Sequence, residues 1–164
     1  MAATETAVTS ADLKTQIERM TEHDLLEVCQ IEELTDLSAW GWDAYHKELQ
    51  VAPETIMLVA RIDPRADGTT IAGFIVARVI ADELHINNVA VRPEYQRMRL
   101  GLALLQETIA QAKQRGAIVA DLEVRAANKA AQGLYARCGF KAVGRRKKYY
   151  RNPTEDALLM NLSL

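Results

Sequence analysis

No apolar run in the 164 residues approaches the roughly 20 needed to span a bilayer as a helix, so a membrane-embedded protein is not expected. Cysteine is scarce as well. Cys29 and Cys138 cannot build a disulfide framework and show no metal-ligand spacing, which fits a reduced compartment. Four prolines and eight glycines are too few for a linker or a low-complexity chain, and a hydrophobic fraction of 49% is too high for disorder. Charge of one sign is also missing. Twenty basic residues against 22 acidic ones give a formal charge of −2, which removes the signature of a general nucleic-acid binder. The opening MAATETAVTSADLK lacks the charged and apolar regions of a secretion signal. The expectation is a cytoplasmic protein with a mobile leader over residues 1–11 and a single domain over 12–164.

Hydrophobic periodicity organises the rest. A short strand is expected near Gln16–Met20. Thr21 and Asp24 then form a capping box ahead of a helix with Leu25, Val28 and Ile31 on one stripe. Ser38 is placed to cap a second helix to about Leu49, with Trp40 or Trp42 on its buried side. Thr55–Ile62 and Ile71–Ile80 read as a hairpin around the turn at Pro64–Gly68. In Glu83–Val91 the parity breaks: Leu84 and Ile86 share one face, Val89 and Val91 the other. A bulge near Asn87-Asn88 would put all four on one side. A polar loop over 92–100 leads into a helix with Leu102, Leu105, Ile109 and Ala112 on its stripe and Gly116 past its end. A strand over Ala117–Arg125 and an Asn128-capped helix ending at Gly139 follow. A hairpin of Phe140–Gly144 and Ala157–Ser163, joined by a basic, tyrosine-bearing segment, completes the pattern. One strand–helix–strand crossover makes one neighbouring pair parallel, so a mixed α/β sheet is expected.

The start of the helix after Val89-Ala90-Val91 offers unpaired amides and a favourable dipole to an anion, with Arg97 and Arg99 adding charge. An ordinary loop with solvated arginines is equally compatible with this segment alone. Glu123 alternates with Leu122 and Val124, so it points away from the face that they pack; a strand-borne glutamate is ordinarily just solvated. Tyr135 on its helix is ordinarily core. His23, His46 and His85 show no metal-ligand spacing, and the run Arg145–Lys148 reads as a solvated hairpin. Cys138 adjoins a helix C-terminus, where the dipole disfavours a thiolate, so covalent acyl-cysteine chemistry is not expected.

Gln96-Arg97-Met98-Arg99-Leu100-Gly101 resembles the Q/R-x-x-G-x-G/A pyrophosphate motif of the GNAT acetyltransferase superfamily, with Arg99 in place of the first glycine. Leu122-Glu123-Val124-Arg125-Ala126-Ala127-Asn128, then Gly133-Leu134-Tyr135, Cys138-Gly139-Phe140 and the Tyr149-Tyr150 tail resemble the RimI-type group of that superfamily. The likeness runs from about Thr21 to the C-terminus and is strong from Asn88 onward.

The resemblance implies a GNAT fold: a mixed, mostly antiparallel sheet with a bulged, splayed central strand flanked by helices. It implies acetyl-CoA as co-substrate and no metal. The pantetheine arm would pair with the backbone of Val89, Ala90 and Val91, and the pyrophosphate would meet the amides of Arg97, Met98, Arg99, Leu100, Gly101 and Leu102. Asn128 matches a cofactor-contacting asparagine. Glu123 would be the general base and Tyr135 the acid that protonates the leaving thiolate, with the Val89 N–H holding the oxyanion. Tyr149 and Tyr150 would line the acceptor groove.

The implied activity is acetylation of a protein N-terminal α-amine, the N-terminal alanine of a small-subunit ribosomal protein, without membrane or direct nucleic-acid binding. The alternatives are a GNAT enzyme acting on a small amine or lysine side chain, or a non-catalytic acetyl-CoA-binding module; Glu123 and Tyr135 together argue against the last. An α-amine, with an ordinary pKa of ~8 against ~10.4 for lysine, needs about 3 kcal/mol less help from a carboxylate base. Glu32, Glu33 and Asp36 are expected at the groove mouth, where they would favour peptides with downstream basic residues. Arg99 is expected to hold an ordinary φ, the loop reshaping slightly so that its guanidinium folds over the phosphates.

Overall fold

The computed structural model describes residues 13–35, 39–51 and 53–164, so the expected leader and the Ser38 cap lie outside the described residues. Among the described residues seven strands form one sheet. In chain order the elements are β1 (Thr15–Arg19), α1 (Leu25–Leu34), α2 (Gly41–Leu49), β2 (Thr55–Ile62), β3 (Ile71–Ile80) and β4 (Glu83–Val91). They continue with α3 (Leu100–Gln114), β5 (Val119–Arg125), α4 (Lys129–Arg137), β6 (Lys141–Tyr150) and β7 (Glu155–Ser163). The sheet order is β1-β2-β3-β4-β5-β7-β6, and β4 with β5 is the parallel pair made by the α3 crossover. Among the described residues no helix is long and apolar enough to cross a membrane.

A 3-10 turn over Glu22–Asp24, capped by Thr21, leads into α1. Asp24 Oδ2 accepts the Thr21 N–H at 2.9 Å, and both oxygens of the same carboxylate accept from Arg61 Nη2 at 3.0 Å, tying the helix start to β2. Leu25, Val28 and Ile31 are fully buried, as their spacing requires. Trp40, not Trp42, is the inward tryptophan: it stacks on buried Tyr45 at 5.4 Å, while Trp42 is exposed.

Two hydrophobic cores lie on opposite faces of the sheet. One packs α1 and α2 on β2 and β3; the other packs α3 and Tyr135 of α4 on the strands. The buried stripe of α3 is Leu100, Leu104, Leu105, Thr108 and Ala112, rotated from the expected one. Leu102 and Ile109 are only partly buried. Thr108 is tolerated inside because its hydroxyl donates to the Leu104 carbonyl at 2.8 Å. Gly116, at φ 91°, ends the helix as expected. Ile118 precedes β5 and is exposed.

The bulge is where the parity break requires it. Val76 faces Asn88 and Ala77 faces Ile86, so Asn87 is the extra residue. Leu84, Ile86, Val89 and Val91 all pack toward the α3 core, whereas Ala90 packs toward α1 and α2.

The C-terminal hairpin differs from expectation. The basic segment is not a connection but part of β6, which is the sheet edge and shows irregular register between Arg146 and Tyr150. Exposed charge and bulging on an edge strand oppose pairing with another chain.

Candidate active site

Pairing between β4 and β5 runs only from Glu83–Ile86 against Val119–Leu122. Beyond it both strands continue, to Val91 and Arg125, without pairing each other, and a cleft of about 640 Å³ opens there. The direction of the β4 groups follows from one bond: the Arg92 N–H donates to Ala72 O at 2.7 Å. Antiparallel strands alternate, so Ala90 and Asn88 also exchange bonds with β3, while the N–H and C=O of Val89 and Val91 face the opening. The expectation that Ala90 offers its backbone to a ligand is corrected by its parity, which commits those groups to β3. Gln96 Nε2 donates to Val91 O at 3.1 Å and so occupies one of the outward groups.

Glu123 projects from β5 on the face opposite Leu122 and Val124, into the cleft. The Tyr149 hydroxyl donates to its Oε2 at 3.0 Å, and Arg146 Nη1 lies 3.6 Å from Oε1. The bond to Glu123 and, after it, burial push the Tyr149 phenol up from its ordinary value. Tyr150 meets Tyr149 edge-on at 5.0 Å and lies under the Arg125 guanidinium at 4.3 Å. Burial first, then the Glu123 charge, push its hydroxyl up to about 12.

Tyr135 lines the same cleft from α4 and packs edge-on against Phe140 at 5.9 Å. Burial, with a smaller contribution from Tyr150, drives its hydroxyl well above the usual phenol range. Asn128 also lines the cleft, but its Oδ1 accepts the Ala131 N–H at 3.1 Å and caps α4. Burial raises the Cys138 thiol, in keeping with an inert cysteine.

The loop before α3 is separate from this lining. No side chain caps the helix, and its first bond runs from Ala103 N–H to Arg99 O, so the amides of Leu100, Gly101 and Leu102 have no intrahelical acceptor. Arg97 and Arg99 both adopt the left-handed conformation, at φ 65° and 61°. The expectation of an ordinary φ at Arg99 is thus overturned: the turn keeps the geometry glycine would favour and carries a strain of roughly 1 kcal/mol at Arg99. At Gly101 an added Cβ would come within 3.2 Å of Leu134 Cδ2, so the glycine lets α3 approach α4.

The cleft therefore gathers Val89, Glu123, Asn128, Tyr135, Tyr149 and Tyr150, while Ala90, Val91 and Arg97–Leu102 lie outside its wall. Sequence reasoning missed Arg146 as a partner of Glu123, because β6 reaches β5 only through β7. It also missed a buried chain of hydrogen bonds under the bulge. Glu32, 3% exposed, accepts from Gly41 N–H at 3.2 Å and from the Tyr45 hydroxyl, and Tyr45 in turn accepts from Asn88 Nδ2 at 3.0 Å. Glu32 is consequently no part of an acidic groove mouth; Glu33 is exposed, and Asp36 lies outside the described residues. His85 lacks metal spacing along the chain, yet register sets it opposite Asp121, and Glu83 Oε2 is 3.1 Å from its Nε2.

Comparison with known proteins agrees with this architecture. The profile of the Acetyltransferase (GNAT) family matches residues 17–140. A protein of Bacillus subtilis (strain 168), described provisionally as a ribosomal protein bS18-alanine N-acetyltransferase, is 34% identical over 147 residues, which are 90% of this chain and 94% of the relative. The N-alpha-acetyltransferase RimI of Mycobacterium tuberculosis is 35% identical over 125 residues, 74% of this chain and 73% of that protein. The Escherichia coli (strain K12) ribosomal protein bS18-alanine N-acetyltransferase is 43% identical over 97 residues, 57% of this chain and 64% of that one. A crystal structure of the E. coli enzyme superposes with a TM-score of 0.78 at 30% identity, covering 92% of this chain and 94% of that one. The parted strands, the family match and the relatives agree: the chain belongs to the GNAT acetyltransferase family, with the RimI-type group as its kin.

Proposed function

We propose that this protein transfers the acetyl group of acetyl-CoA to the N-terminal α-amine of a protein, the alanine at the start of ribosomal protein bS18 being the acceptor. The observation that carries this reading is the opening between β4 and β5, with Glu123 exposed on one side and the Tyr135 hydroxyl at its wall. The relatives' names supply the acceptor. This reading puts the enzyme in the cytoplasm with a ribosomal protein as partner and requires no metal, membrane or nucleic acid.

The residues present suit the co-substrate. The outward N–H and C=O of Val89 and the N–H of Val91 can pair with an amide-bearing arm laid in the opening, in place of a strand. The uncapped amides at the start of α3, with Arg97 and Arg99 beside them, suit a diphosphate. Acetyl-CoA supplies an activated thioester. Glu123 takes a proton from the α-ammonium, freeing the lone pair that forms the N–C bond. The Val89 N–H donates to the carbonyl oxygen as charge builds on it, and the Tyr135 hydroxyl gives its proton to the sulfur as the C–S bond breaks. The acylated nitrogen then sheds its second proton, which restores the one Tyr135 has given up. Tyr149 and Arg146 hold the Glu123 carboxylate, and in this reading Tyr149 and Tyr150 line the acceptor groove beside it.

The test is direct. Incubation with acetyl-CoA should acetylate peptides beginning with Ala well above those beginning with Ser, Met or Gly, and an internal-lysine control should stay unmodified. Equal modification of the lysine control would favour the side-chain alternative. Absence of any thioester turnover with all peptides would leave a binding module.

The strained loop gives a second expectation. Acetyl-CoA and CoA should raise the melting temperature of the parent, while an equal concentration of NAD should not. For Arg99→Glu that shift should shrink strongly, because a carboxylate would face the diphosphate. Arg99→Gly should melt higher than the parent in the absence of ligand, since glycine relieves about 1 kcal/mol of left-handed strain. An undiminished ligand shift in Arg99→Glu would remove the loop from the site.

A further inference from the structure

Asn88 carries an amide whose two ends differ chemically, and the surrounding bonds fix which end faces the cleft. Glu32, as a carboxylate, can only accept, and it accepts the Tyr45 hydroxyl proton. The Tyr45 oxygen is then left as an acceptor, and it is filled by Asn88 Nδ2 at 3.0 Å. The amide of Asn88 is thereby oriented, with Oδ1 turned away from Tyr45. Among the described residues Oδ1 meets no donor, although Asn88 is 8% exposed and lines the cleft.

The bulge decides the face. Asn87 shifts the parity of β4, so Asn88 projects toward α1 and α2, where Tyr45 lies. Glu123 alternates with Leu122 and Val124, which pack in the α3 core, so it projects to that same side from β5. Two acceptors on two strands thus flank the opening where those strands part.

From this arrangement we propose that Asn88 Oδ1 is a second hydrogen-bond acceptor for the substrate's α-amine, and that Glu32 and Tyr45 are positioning residues that keep the acceptor end of the amide in the cleft. The proposal rests on the acetyltransferase reading above. An α-ammonium has three N–H bonds. When Glu123 removes one proton, a second N–H held by Asn88 leaves the lone pair with a defined direction, which is the orientation that transfer to the thioester requires. A reversed amide would turn N–H groups toward the ammonium and repel it.

The experiment measures peptide binding to the CoA-loaded protein by calorimetry, so that no turnover intervenes. An alanyl peptide is compared with its des-amino counterpart, in which propionyl replaces alanyl. The parent should prefer the amine. Asn88→Ala should lose about tenfold in affinity for the alanyl peptide, the worth of one hydrogen bond to a charged group, and almost nothing for the des-amino peptide, with CoA affinity unchanged. Glu32→Gln leaves Asn88 in place but lets an amide at position 32 donate to the Tyr45 oxygen, so that the Tyr45 hydroxyl can turn to Oδ1 and reverse the amide. It should show the same selective loss, and the double variant should lose no more than Asn88→Ala alone. Should the alanine variant not fold, Glu32→Gln carries the test. The proposal is overturned if the parent shows no amine preference, if the losses stay within twofold, or if both peptides weaken equally. Acetyl transfer assayed on the same preparations separates the two readings: a parent that selects the amine but never transfers acetyl overturns the function and leaves the role of Asn88 standing.

Discussion

Replacing Glu123 by Gln should slow acetyl transfer at pH 7 by a factor of about 10² to 10⁴, the range a positioned general base contributes. The substitution keeps the size of the side chain and an acceptor for the Tyr149 hydroxyl, so the wall of the cleft should stay intact. Cofactor affinity should hardly change, because the start of α3 does not touch Glu123. The defect should also depend on pH in a particular sense. A peptide α-amine ordinarily titrates at a pKa of ~8, so solvent removes its proton unaided above that value. The gap between variant and parent should therefore narrow as pH rises from 7 to 9. A gap that stays constant would mean that Glu123 acts on something other than the ammonium proton.

Tyr135→Phe should lower the rate by about 10² or more, with its largest effect on the turnover number rather than on the peptide KM. The ring packs edge-on against Phe140, and that contact survives the loss of the hydroxyl, so melting temperature should be close to the parent's. Burial raises the Tyr135 pKa, so its proton remains available throughout the neutral and mildly alkaline range. The parent, in which Glu123 removes the amine proton, should thus show no decline from Tyr135 ionisation below pH 10. A falling limb near pH 9 in the parent that disappears in Tyr135→Phe would contradict the burial-raised phenol.

Much of the fold is legible in local pattern. The parity conflict between Leu84/Ile86 and Val89/Val91 locates the bulge, because a strand with one buried face has no other way to reconcile the two sets. Glu123 can be placed on the open face because Leu122 and Val124 define the buried one. What local pattern cannot supply is anything decided by strands distant in sequence. Arg146 and Tyr149 meet Glu123 only because β7 bridges β6 to β5. Glu32 reads in the sequence as one of several surface acids; its burial depends on Tyr45, 13 residues on, and on Asn88 across the sheet. The φ of Arg99 departs from expectation for a different reason. A penalty of about 1 kcal/mol is small beside the packing that fixes the loop, so intrinsic preference gives way.

The position of β7 has a consequence for how the enzyme comes into being. The last strand of this sequence lies inside the sheet, hydrogen-bonded on one side to β5 and on the other to β6. Until residues 155–163 have been synthesised and inserted, β6 has no neighbour in the sheet, and the carboxylate of Glu123 has neither Tyr149 nor Arg146 beside it. A nascent chain carrying every residue through Tyr150 would still lack the β6 wall of the cleft. Under the proposed function, competence to select a substrate arrives only when translation has passed β7, and a truncation that removes this strand would disarm a site whose proposed base, Glu123, lies far upstream of the cut.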